Sequence, residues 1–235
     1  MKVAIVNNPG TVGKTTIAAH LLAPRIPGAS IIAIEDVNQT VANLGLQVDR
    51  MEGDAFRAMF KKLMLLDDAI IDVGASNIRL FLQGMVKFDE SHEEFDYFVV
   101  PLTSGTKEQI ETIGMIGTLA DFGIPAEKIR LVFNRVNKDV EEEFGHVFRH
   151  VAKERNAIAN PAAAIYESEL FSALAVKKLT IEALIADQTD YKGLLRDNRD
   201  ASDKDRNYWG DMFGLRSLAR SVQRNLDAVF VVLFQ

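Results

Sequence analysis

Short apolar runs alternate with amphipathic stretches along most of the chain. The runs at Val3 to Asn7, Ile31 to Glu35, Ala69 to Val73, Tyr97 to Pro101 and Ile129 to Asn134 are nearly continuous in apolar residues, as expected of parallel strands buried on both faces. Between them, apolar residues at helical spacing predict helices over Lys14 to Leu22, Asp54 to Leu66, Asn77 to Val86, Lys107 to Phe122 and Val140 to Glu154. Asp54 and Thr106 are the expected N-caps, and Gly123 is a C-terminal stop. Strand alternating with helix predicts an α/β fold with a doubly wound, mostly parallel sheet, right-handed crossovers and helices on both faces. The loops after Val6, Glu35, Val73, Pro101 and Asn134 then share the rim at which such sheets bind ligands.

Beyond the fifth strand the pattern loosens. Asn156 to Ala164 reads as a sixth short strand or an extended loop, with Pro161 favouring the loop. Glu167 to Ala175 and Thr180 to Ala186 read as helices. Residues 187–211 carry many charges of both signs and few apolar residues, which makes this stretch the candidate mobile segment. From Met212 to residue 234 an amphipathic helix is expected, with Leu215, Leu218, Val222, Leu226, Val229 and Leu233 on one side and Arg216, Arg220 and Arg224 on another.

At 235 residues with 48 % hydrophobic and 26 % charged content, the chain is expected to form one globular domain with its own core. Cys is absent, which fits a reducing compartment. Met1 and Lys2 lead directly into the first strand, leaving no room for a signal peptide, and the apolar stretch Ala228 to Phe234 is too short to span a bilayer, so a cytoplasmic location is expected. A net charge of −6 argues against a strong direct grip on DNA by the molecule as a whole.

The candidate chemistry begins after the first strand. Asn8, Pro9, Gly10, Thr11, Val12, Gly13, Lys14, Thr15 and Thr16 form a phosphate-binding loop between a strand and a helix. Gly10 and Gly13 let backbone N–H groups turn inward on a polyphosphate, Lys14 reaches its β and γ phosphates, and Thr15 offers a hydroxyl to Mg²⁺. Compared with GxxxxGK[ST], the first Gly is Asn8, a residue that tolerates left-handed backbone angles. Asp72 ends an apolar strand and is followed by Gly74, the arrangement of a carboxylate that holds Mg²⁺ and a turn that senses the γ-phosphate. Glu35 and Asp36 follow the second strand, and one of the two is the candidate for orienting the attacking water; neighbours on an extended segment point opposite ways.

Asn134, Arg135, Val136 and Asn137 end the fifth strand and resemble the NKxD base-reading motif, with Asn137 in place of the terminal Asp. An amide that both donates and accepts suits adenine, so ATP is the expected nucleotide. His146 and His150 lie four apart beside Glu142 and Glu143, but with no third ligand apparent they read as a solvated helix face, as does the run Asp89 to Glu94.

The loop ending in Gly-Lys-Thr-Thr, the DVGASN turn at Asp72 to Asn77 and the FNRV segment at Phe133 to Val136 together resemble the ParA/MinD group of Walker-type P-loop NTPases. Within it, NxxGxVGKTT followed by HLLAPR at His20 to Arg25, then IEDVN and DVGASN, is most similar to the StbB/TraL family of plasmid stability and conjugation proteins. The resemblance spans Met1 to about Ala175. It implies an ATP- and Mg²⁺-dependent switch, an ATP-dependent homodimer, and a small DNA-binding partner from the same operon. One departure stands out: the group's signature Lys at the second loop position is Pro9 here, which implies slow or partner-stimulated hydrolysis. Two rivals remain open at this stage. One is a metabolic kinase or ligase with Thr103, Ser104 and Lys107 around a substrate; the other is a membrane-surface switch whose C-terminal helix inserts into lipid.

Overall fold

The computed structural model describes residues 1–34, 49–51 and 56–235. Seven parallel strands form one sheet in the order β3-β2-β4-β1-β5-β6-β7. They are β1 (Lys2–Ile5), β2 (Ser30–Ile34), β3 (Asp49–Met51), β4 (Ala69–Val73), β5 (Tyr97–Leu102), β6 (Ile129–Val136) and β7 (Ala164–Tyr166). The chain starts in the middle of the sheet, builds one edge with β2 and β3, returns to β4, and then crosses β1 to build the other edge. The reversal beside β1 is the switch point at which an open parallel sheet forms a crevice.

Side chains alternate across the sheet with period two. Ala4, Ile71, Phe98 and Val100 join the core beneath α2 (Phe56–Leu63), α3 (Ile78–Lys87), α4 (Thr106–Asp121), α5 (Val140–Glu143) and α6 (Gly145–Glu154). Val3, Ile5, Ile70 and Val99 join the opposite core, beneath α1 (Lys14–Thr16, continuing into a π-helical turn over Ile17–Leu22), α7 (Leu170–Lys177), α8 (Ile181–Ala186), α9 (Tyr191–Asp197) and α10 (Asp203–Phe234). Both faces are covered, as the apolar runs require.

Several boundaries differ from expectation. β3 is a three-residue strand, too short to leave a periodic signal. Thr106 is the first residue of α4 and does not cap it; Gly105 takes the cap position, without a side-chain cap. The helix expected over 140–154 breaks at Phe144, which turns fully into the core with its ring 4.9 Å from Phe133. The stretch 156–164 makes a bridge from Ile158 to Arg130 and leads into β7. The expected N-cap Asp54 lies outside the described residues.

The charged stretch 187–211 holds α9 and the first turns of α10, which starts nine residues before Met212. Several of its polar groups are bonded. Arg216 donates to the carbonyls of Asp187 (2.7 Å) and Thr189 (2.9 Å) and lies over the Tyr191 ring. Ser202 caps α10 by accepting from Asp205 N, with Asp203 and Asp205 in the favourable first turn. No helix among the described residues is long and apolar enough to cross a membrane.

Candidate functional site

After β1, Asn7 fixes where the phosphate-loop sequence leaves the sheet. It is fully buried; its Nδ2 donates to Pro101 O (2.8 Å) and Thr112 Oγ1 (2.7 Å), while its Oδ1 accepts from Asn8 N (2.8 Å). Gly13 then turns the chain into α1 with φ 87°, a left-handed conformation. A Cβ there would lie 2.4 Å from Asn134 Nδ2. Gly13 is therefore required twice, for its backbone angle and for the closeness of Asn134. Asn8 and Gly10 do not take the left-handed conformation, and a Cβ on Gly10 would meet only the Ala75 Cβ, at 3.8 Å. The tolerance expected of Asn8 is thus not called upon.

Lys14 is buried inside the loop, its Nζ donating to the carbonyls of Asn7 (2.9 Å) and Pro9 (2.8 Å). Thr15 Oγ1 donates to Asp72 Oδ2 at 2.8 Å, joining the loop to the end of β4. Asp72 is 1 % exposed, and its Oδ1 has no hydrogen-bond partner among the described residues. Burial pushes its carboxyl up to about 6, against the opposing pull of the Thr15 hydroxyl and the Lys14 charge. An unmatched buried carboxylate oxygen beside a threonine hydroxyl, with an ammonium close by, is the donor set a hydrated Mg²⁺ uses, so Thr15 and Asp72 fit that ion.

Gly74 lines the cavity at the loop, and its N–H donates to Ile34 O (2.9 Å). Asn134 Nδ2 donates to Val12 O (2.8 Å) and its Oδ1 accepts from Arg135 N (3.0 Å), so this side chain braces the loop. Asn137 is exposed and its Nδ2 returns to Arg135 O (3.4 Å). Of the residues expected to read the base, Asn134 thus contacts the loop and Asn137 its own turn, while Arg135 and Asn134 line a cavity beside the loop. Glu35 and Asp36 lie outside the described residues.

Two neighbouring cavities meet at Thr16 and Arg135. One, of about 290 Å³, is lined by Gly10, Thr11, Gly13 to Thr16, Gly74, Ala75 and Arg135. The other, of about 540 Å³, extends from Thr16, Asn134 and Arg135 to Tyr166, Glu167 and Phe171 among others. Sequence reading missed the second cavity, because its wall after β7 carries no motif; it also missed the bracing by Asn7, whose only signal is a polar residue closing an apolar run. Thr103, Ser104 and Lys107 line neither cavity. His146 pairs with Arg149 (3.1 Å), and no group of three or more His, Cys, Asp or Glu among the described residues is arranged to hold a metal.

The fold is the α/β fold of P-loop NTPases. Pyrococcus furiosus cell division ATPase MinD superposes with a TM-score of 0.53 at 13 % identity, covering 99 % of each chain. Aquifex aeolicus MinD gives 0.52 at 14 % identity over 80 % of this chain and 89 % of that one. An ATP complex of a Cyanothece McdA variant gives 0.51 at 16 % identity over 91 % and 96 %. At these identities the likeness is one of fold. No protein-family model and no curated protein matches the sequence.

Proposed function

We propose that this protein is an ATP-dependent molecular switch of the ParA/MinD type, with slow or partner-stimulated hydrolysis. The observation that carries the reading is that Lys14 and Thr15 line a cavity beside Gly13 and Gly74, with the buried Asp72 of β4 accepting from the Thr15 hydroxyl behind it. The loop N–H groups and the start of α1 would hold the triphosphate, and the larger cavity past Thr16 has room for the base. Thr15 and Asp72 would hold Mg²⁺, which would neutralise charge developing on the phosphates. Glu35 or Asp36 orients the attacking water. Pro9 supplies no cation, so unassisted turnover is slow.

The output is association, not a small product. The motifs shared with StbB/TraL proteins support a role in plasmid stability, positioning or conjugative transfer, in the cytoplasm, as an ATP-dependent homodimer with a DNA-binding partner from the same operon. A solved MinC:MinD cell division protein complex from Aquifex aeolicus, matching at TM-score 0.50 and 13 % identity, is a precedent on this fold for binding a partner protein.

Calorimetry with Mg·ATP and Mg·ADP, and molecular mass in each state, test this reading on wild type and Lys14→Ala. Binding by wild type that Lys14→Ala loses, with a larger particle in ATP only, is the expected result. ATP-dependent assembly retained by Lys14→Ala would refute it.

A further inference from the structure

The most unusual backbone at the site belongs to Arg135. It is one of four non-glycine residues among the described ones with positive φ, at 56°, and the only one of them that lines the cavities at the loop. The pairing of β6 with β7 explains it. Asn134 pairs with Ile165 and Val136 with Tyr166, so β6 uses two steps where β7 uses one, and Arg135 is the extra residue of a bulge.

The bulge changes which face each side chain reaches. Leu131 and Phe133 lie in the core under α4 to α6, and Val132 lies in the opposite core. Strict alternation would send Arg135 to the face of Phe133 and Val136 to the face of Val132. Instead Val136 joins Leu131 and Phe133 in their core, while Arg135 is exposed and lines both cavities. Left-handed backbone at a bulky residue is unfavourable, and such conformations gather where a ligand needs a particular side chain. The Arg135 guanidinium makes no hydrogen bond or ion pair with any other described residue. Lys14 and Arg135 are the two cationic side chains lining the smaller cavity, and Lys14 is enclosed by the loop carbonyls.

We infer that Arg135 is a polyphosphate-binding residue, placed by the β6 bulge to supply within one chain the second cation that Pro9 cannot. This rests on the nucleotide-binding reading above and changes the role of Arg135 from reading the base to holding the phosphates. A guanidinium presents several donors to phosphate oxygens, and Arg135, lining both cavities, would meet the diphosphate that ADP and ATP share.

Calorimetry on Arg135→Gln and Arg135→Lys with Mg·ATP, Mg·ADP, AMP and Mg·GTP tests it. Both variants keep an unbranched side chain at the bulge. Arg135→Gln is expected to weaken Mg·ATP and Mg·ADP by about 10- to 100-fold, to affect AMP far less, and to leave the ATP-to-GTP ratio unchanged. Arg135→Lys, which restores the charge, recovers most of the loss and excludes misfolding as its cause. Equal losses for AMP and ATP, a changed base preference, or wild-type affinity in Arg135→Gln would each overturn the assignment. Wild type that binds none of these ligands would instead remove the nucleotide reading itself.

Discussion

Gly74 donates its backbone N–H to the carbonyl of Ile34 at 2.9 Å, and Asn77 Nδ2 approaches the same oxygen at 3.4 Å. The turn after β4 is thereby tied to the last residue of β2, next to the candidate water-orienting Glu35. A γ-phosphate that attracts the Gly74 N–H must break this tie, so both segments respond together. Hydrogen exchange over residues 74–77 is expected to be slower with ADP than with a non-hydrolysable ATP analogue. Asn77→Ala, which empties a buried polar position, should lower unfolding free energy by about 1–3 kcal/mol and speed exchange at Gly74 in both states. Identical exchange with the two nucleotides would show that this turn is not the sensor.

Asp72 and His20 make opposite demands on pH. His20 is buried and held neutral, its pKa lowered to about 4 by burial, so from about pH 6.5 down to 4 the unfolded chain takes up a proton that the folded chain does not, and stability falls. Asp72, raised to about 6 by burial, keeps a proton that the unfolded chain releases above 3.8, so stability rises as pH falls from about 6 to 3.8. Each contribution amounts to about 3 kcal/mol, and in the wild type without metal the two nearly cancel. Asp72→Asn should therefore be more stable than wild type at about pH 7.5 and lose that advantage steeply on acidification. His20→Leu should instead gain stability on acidification. Urea midpoints across this range check both; a wild-type slope in either variant would be the contrary result. Asp72→Asn should also lose Mg²⁺-dependent tightening of nucleotide binding.

Gly13→Ala combines two costs that can be separated. The left-handed angle costs a non-glycine residue about 1–2 kcal/mol, and the new methyl meets Asn134 Nδ2 at 2.4 Å. Asn134→Ala alone releases Val12 O and loosens the loop. In a double-mutant cycle the pair should couple by about 1 kcal/mol or more, since removing Asn134 relieves the clash but not the backbone strain. Additive stability changes would mean that the loop shifts away from Asn134 instead.

What was legible in the sequence is what local pattern encodes. Apolar runs placed the central strands within one or two residues, and the contiguous loop motif and strand-ending Asp72 marked two sides of one site before any fold was known. Bracing was not legible, because Asn7 reaches Thr112 and Asn134 reaches Val12 across 105 and 122 positions of sequence. The Arg135 bulge depends on pairing with β7, a strand whose pattern was lost in a proline-containing stretch. For residues 187–211 composition sums charges without seeing that Arg216 bonds the backbone carbonyl of Asp187 or that Lys177 pairs with Asp211 at 2.7 Å.

The C-terminal helix decides between a covered sheet and a detachable membrane anchor. Leu226, Val229 and Leu233 are buried in the core shared with β1 and α1, Phe234 lies against Tyr97 with ring centres 4.9 Å apart, and Arg25 donates twice to Asp227. Detaching α10 would expose this core, at a cost far above what lipid contact by its outward face returns. Leu226→Ala should then cost about 2–5 kcal/mol in urea unfolding, the penalty of a cavity in a packed core. Vesicles of anionic lipid should not sediment the protein with either Mg·ATP or Mg·ADP. A Leu226→Ala variant of wild-type stability, together with ATP-dependent sedimentation, would establish α10 as a membrane-seeking element in place of a permanent layer of the fold.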